Sequence, residues 1–125
     1  MDKKAHNFEF LARGGPYSNA IEANGFLFLS GMIPSDVEKG IKITDDAAKG
    51  AELCLNNINR TLTAMGSSMD KIVKATVFLR DMADFNSVNE IYKTFFHGDP
   101  PARTCVAVKE LPGGVPIEIE VIALK

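Results

Sequence analysis

The sequence predicts an α+β fold, with two helices laid on one face of a mixed sheet. Three observations lead there. Two segments repeat apolar residues at helical spacing, and four shorter runs are apolar or alternate apolar with polar. Along the chain the order is strand, long helix, strand, helix, strand, strand.

The first run, residues 25–30 (Gly-Phe-Leu-Phe-Leu-Ser), ends at Gly31 and suits a buried strand. Residues 44–65 then place Ala51, Leu55, Ile58, Leu62 and Met65 at intervals of four, three, four and three, one stripe of an amphipathic helix. Thr44, Asp45 or Asp46 can cap its start, and Gly66 suits the left-handed residue that ends it. Residues 72–80 read as a strand, with Val73, Ala75, Val77 and Leu79 opposite Lys74, Thr76 and Arg80. A second helix over residues 84–96 puts Phe85, Val88, Tyr92 and Phe95 on one face. Asp84 is its expected N-cap, and Pro100-Pro101 stops anything beyond. Residues 103–109 and 117–124 are strands around Leu111-Pro112-Gly113-Gly114, a turn signal that reads as a hairpin connection.

Length and composition bound the rest. With 125 residues, 46% hydrophobic and 24% charged, the chain reads as one soluble domain spanning residues 1–125. Fourteen Lys and Arg against sixteen Asp and Glu leave a net charge of −2, which argues against a dedicated nucleic-acid binder. No apolar run approaches the roughly 18 residues of a membrane span, and the first residues lack the apolar stretch of a secretory signal. Cys54 and Cys105 lie far apart with no metal-type spacing, so a cytoplasmic protein with reduced thiols is expected.

Two helices cover one side of such a sheet. Yet both alternating sets in Thr104-Cys105-Val106-Ala107-Val108 are small or apolar, and no third helix remains to cover the second side. A homo-oligomer that buries the bare face is the simplest expectation.

Several residues can carry chemistry. Arg103 opens an otherwise small or apolar strand. Its guanidinium keeps its proton on burial, so it is either a paired structural charge or a planar clamp for a carboxylate. Glu118 and Glu120 share one strand face, with Ile117, Ile119 and Val121 on the other. They form a solvated edge, or one of them sits in a cleft and handles protons with a raised pKa. Cys105 falls on the face of Arg103, as a small buried hydrophobe or as a thiolate favoured by the arginine. Cys54 reads as core. His6, in a terminus expected to be mobile, and His97, in a loop, stand alone and support neither a zinc cluster nor a histidine-pair nuclease. Gly14-Gly15-Pro16 lacks the spacing of a phosphate loop and turns the chain.

Six blocks, in order, resemble the RidA (YjgF-like) family of enamine/imine deaminases, also known as endoribonuclease L-PSP. They are residues 15–20 (GPYSNA), 29–34 (LSGMIP), 72–79 (IVKATVFL), 84–92 (DFNSVNEIY), 101–106 (PARTCV), and 111–112 with 117–120 (LP, IEIE). The resemblance implies a chorismate-mutase-like fold, a six-stranded mixed sheet with two helices on one face. It also implies a homotrimer with a central β-barrel and active sites between subunits. The implied reaction is hydrolysis of 2-iminopropanoate and 2-iminobutanoate to 2-keto acids and ammonia, with no metal or organic cofactor. Carried over by motif, Arg103 is the carboxylate-binding residue, and Glu118 positions and activates water. Tyr17, Ser30, Gly31, Asn89 and Cys105 match pocket positions, with backbone near Cys105 holding water and its thiol a spectator. Met32 and Asn19 stand where the family commonly has Gln, which bears on pocket shape. Competing readings are an endoribonuclease or translation inhibitor, and a non-catalytic ligand-binding or chaperone-like trimer.

Overall fold

The computed structural model describes residues 2–125. Six strands form one sheet: β1 (Lys4–His6), β2 (Ala20–Ala23), β3 (Phe26–Leu29), β6 (Ile72–Leu79), β7 (Ala102–Ala107) and β8 (Ile117–Leu124). Their spatial order is β1-β2-β3-β8-β6-β7, all antiparallel except the β6–β7 pair. A small separate hairpin joins β4 (Ser35–Asp36) to β5 (Ile41–Lys42).

The long helix α1 (Ala47–Ala64) forms where the apolar stripe places it. Of its three candidate caps Asp46 does the work, its carboxylate accepting from the Lys49 amide at 3.0 Å. Ala51, Leu55, Ile58 and Leu62 are fully buried, and Gly66 takes the left-handed conformation at φ +80°. The second helix, α2 (Phe85–Tyr92), continues as a 3₁₀ turn over Lys93–Phe95. Asp84 stands at its N-cap without a side-chain bond, because the chain enters through a 3₁₀ turn that Asp81 caps at the Ala83 amide. Both helices bury their apolar residues in one cluster with Leu27, Ala75, Val77, Leu79, Ile117, Ile119 and Val121 of the sheet.

Four expectations need correction. The Asn24–Gly25 turn, both residues at positive φ, folds β2 onto β3 as a two-residue hairpin, so a strand precedes the first one read from the sequence. His6 is placed in β1, its ring nitrogen 3.1 Å from Glu22, where a mobile terminus was expected. A register shift between Ile72 and Lys74 buries Ile72 and leaves Val73 39% exposed. Lastly, β7 and β8 do not form a hairpin. β6 lies between them, and the Pro112–Gly114 turn belongs to a connection that crosses it.

The face away from the helices carries Phe28, Val106 and Leu124, 42%, 38% and 43% exposed, among Lys74, Thr76 and Glu120. That is the bare face anticipated from the sequence.

Candidate active site

Glu118 belongs to this open face. It lies opposite Phe78 in the ladder, whereas its neighbours Ile117 and Ile119 are buried beneath the helices. Beside it the backbone is irregular. Phe28 pairs with Ile122, but Met32 bridges Ile119, the Met32 amide donating to the Ile119 carbonyl at 2.7 Å and the Ile119 amide donating back at 3.0 Å. Four steps along one strand thus match three along the other. This one-residue bulge carries Ser30 and Gly31 past the Glu118 side chain. Gly31 is required there for close approach: a Cβ on it would overlap the Glu118 carboxylate.

Glu118, Gly31, Ser30 and Tyr17 line one cavity of about 310 Å³, with Leu11, Ala12, Asn19, Met32, Asn57 and Pro112 completing much of its wall. The Ser30 hydroxyl donates to the Ser18 carbonyl at 2.6 Å, which leaves only its lone pairs to face a ligand. Asn19 is buried and ties the outer wall down. Its carboxamide accepts from the Phe8 amide at 2.9 Å and donates to the Ala12 carbonyl at 3.2 Å. Burial, reinforced by the negative charge of Glu120, raises the pKa of Glu118 above its usual value. Gly31→Ala is therefore expected to push the carboxylate aside and lower turnover about 10- to 100-fold. Its melting temperature should stay close to the parent's, because the displaced group is the free end of a side chain. Steady-state kinetics beside a thermal melt checks this.

Arg103 lies on the opposite side of the sheet. It pairs in register with Ala75, and Cys105 with Val77, both on the helix-covered face. One guanidinium nitrogen donates to Asn89 Oδ1 at 2.8 Å. The group lies over the Tyr92 ring, 4.7 Å from its centre, and 5.7 Å from that of Phe85. Among the described residues Arg103 forms no ion pair. Of the two sequence readings, the paired structural charge thus finds no partner among the described residues, and the rest of the guanidinium fork meets no carboxylate there. Arg103, Asn89 and Tyr92 line a second cavity of about 510 Å³.

Within one chain, then, Tyr17, Ser30 and Gly31 gather around Glu118, and Asn89 around Arg103, while the sheet divides the two groups. Cys105 lines neither cavity. Burial raises the pKa of its thiol and outweighs the opposing pull of Arg103, so the thiolate alternative is disfavoured. Cys54 is fully buried, its thiol donating to the Met32 carbonyl at 3.2 Å, as a core residue. Among the described residues no three His, Cys, Asp or Glu side chains gather as metal ligands would. No helix of the described residues is long and apolar enough to cross a membrane. Tyr92 and Phe85, which the helical spacing assigns to an apolar face, also lie against the Arg103 guanidinium, and Tyr92 borders its cavity. The available signal was Asn89, a polar residue at i+4 from Phe85 on an otherwise apolar helix face.

An arginine without an ion-pair partner among the described residues thus borders a cavity on one face, and a half-buried carboxylate borders a cavity on the other. The family model described as Endoribonuclease L-PSP matches residues 9–125, and the chain belongs to that family, whose Rid and YjgF members the motifs resemble. Protein mmf1, mitochondrial, of Schizosaccharomyces pombe is 47% identical over 118 residues, 92% of this chain and 72% of the relative. The mouse protein named 2-iminobutanoate/2-iminopropanoate deaminase is 40% identical over 111 residues, covering 89% of this chain and 82% of the relative. Among solved structures, a Rid-family protein of Yersinia pestis superposes with a TM-score of 0.94 at 39% identity, covering 99% of this chain and 100% of that one. Escherichia coli TdcF with bound serine gives 0.90 at 35% identity over 98% of each chain. The α+β architecture expected from the sequence is thus shared with these relatives.

Proposed function

We propose that this protein is a cofactor-independent deaminase that hydrolyses 2-iminopropanoate and 2-iminobutanoate to 2-keto acids and ammonia. In this reading it works as a homotrimer in the cytoplasm, its sheets closing a central barrel and each active site completed by two subunits. The carrying observation is the half-buried Arg103 without a carboxylate partner, its fork oriented by Asn89. The name borne by the mouse and human relatives supplies the substrate class. The bare sheet face supports assembly, since Phe28, Val106 and Leu124 would otherwise remain in water.

The chemistry follows from those groups. Arg103 grips the substrate carboxylate through two parallel hydrogen bonds and fixes the electrophilic C=N carbon, so that attack by water becomes a positioned step. The Glu118 carboxylate of a neighbouring subunit takes a proton from that water as the C–O bond forms. It returns that proton to the nitrogen, giving a carbinolamine. The remaining hydroxyl proton then passes through the same carboxylate to the nitrogen as the C=O bond forms and the C–N bond breaks, and ammonia departs with the 2-keto acid left behind. The thiol of Cys105 takes no part, because the imine is already electrophilic and burial keeps the group protonated. The direct test generates 2-aminoacrylate from serine with a pyridoxal-phosphate dehydratase and follows pyruvate release. Acceleration by this protein is expected, and its absence from an intact oligomer would refute the assignment.

The family description favours one competing activity, RNA cleavage. A net charge of −2 weighs against it. Ribonuclease activity that survives Arg103→Ala would restore it.

A further inference from the structure

We propose that Tyr92 is a second anion-binding residue, its hydroxyl donating a hydrogen bond to the carboxylate that Arg103 holds; this rests on the reading of Arg103 as the carboxylate site. Among the described residues, the Tyr92 hydroxyl is the one buried side-chain polar atom that lacks a hydrogen-bond partner. Tyr92 is only 6% exposed, so open water does not compensate for the missing bond. The residue lines the same cavity as Arg103 and Asn89. Its ring is fixed on two sides, by the guanidinium 4.7 Å from its centre and by the Phe96 ring at 4.8 Å. Phenylalanine would fill that place without an unmet hydroxyl, so the oxygen is left to bond a group from outside the described residues.

The chemistry of the occupant follows from the donors. The guanidinium fork and the phenol belong to residues that line one cavity, and each offers N–H or O–H donors there, once Asn89 has accepted one guanidinium hydrogen bond. Burial raises the pKa of the phenol, and the nearby arginine only partly offsets this, so it enters neutral solution as a donor. A carboxylate, with about four lone-pair sites, accepts the fork and the phenol at once. The ligand class is therefore a small monocarboxylate such as a 2-imino or 2-oxo acid.

The test compares the full-length parent, Tyr92→Phe and Arg103→Ala in imine hydrolysis and in calorimetric binding of pyruvate. Tyr92→Phe is expected to raise both KM and the pyruvate Kd about tenfold, with a smaller change in kcat and a melting temperature no lower than the parent's. A purely structural tyrosine would leave KM and Kd unmoved, and that result overturns the proposal. Should Tyr92→Phe fail to fold, parent protein carrying ¹³Cζ-tyrosine decides the matter. The chain holds two tyrosines, so Tyr17→Phe assigns the resonances. Pyruvate is expected to shift the Tyr92 signal along the same saturation curve that calorimetry gives, and a stationary signal overturns the proposal. The two levels separate cleanly. Binding lost in Arg103→Ala but intact in Tyr92→Phe refutes Tyr92 alone, whereas a parent that binds no pyruvate and hydrolyses no imine refutes both.

Discussion

Arg103→Ala is expected to lower kcat/KM for 2-iminopropanoate about 10²- to 10³-fold, the cost of leaving a desolvated carboxylate without its cation. Arg103→Lys should recover only part of that loss. A lysine keeps the charge but presents a single ammonium where the fork made two parallel bonds, and it cannot lie over the Tyr92 ring in the same way. Neither substitution touches the fully buried core, so both variants should retain the parent's oligomeric size in gel filtration. The placement of Arg103 and Glu118 on opposite faces adds a sharper form of this experiment. Co-expressed Arg103→Ala and Glu118→Gln chains, each inactive alone, should regain about a quarter of parental activity, because random assembly pairs an intact arginine with an intact glutamate at that frequency. A mixture that stays inactive although the chains co-assemble would mean that no site is built from two chains.

The second large effect belongs to Glu118. Removing the base by Glu118→Gln should reduce kcat about 10²- to 10⁴-fold with little change in pyruvate binding. The parent's pH–rate profile should carry an acid limb displaced above the ordinary carboxylate range, since burial and the charge of Glu120 both oppose ionisation. The same displacement has an opposite consequence for stability. A carboxyl whose folded pKa lies above its unfolded one binds more protons in the folded chain across the interval between them. Stability therefore falls as pH rises through that interval and stays lower above it. Glu118→Gln has nothing to ionise, so it should lose this decline and melt no lower than the parent at neutral pH. Thermal melts of the two proteins as a function of pH, read beside the kinetics, check both signs; a parent curve that rises through the interval would contradict them.

How much of this was legible in the sequence follows from the range of the signals. Helix α1 could be read because its stripe repeats five times, and its caps are local chemistry around Asp46 and Gly66. The strands β1 and β2 were not, since three or four residues, Lys4–His6 and Ala20–Ala23, hold too little alternation to stand out. At Val73 the period itself is broken by the bulge. The Leu111-Pro112-Gly113-Gly114 signal correctly announced a turn, but a turn does not state which strand the chain meets next. The site shows the same division. Each strand's alternation placed Arg103 with Cys105 and Glu118 with Glu120, but no sequence pattern fixes how the faces of two strands relate when a third lies between them. That relation comes from the register of β6 with both neighbours. The wall around Arg103 was hidden for another reason: Tyr92 serves core and cavity together, and an apolar stripe does not reveal which of its members border a cavity.

Opposite-facing half-sites also bear on when the protein can work. On the proposed reading, a newly synthesised chain holds every residue of the site and yet has no complete site, because its own sheet stands between the parts. Activity then begins only once chains have met, and at low abundance it climbs faster than the amount of protein made. Scavenging of a reactive metabolite would be switched on by a threshold in expression, with no separate activator.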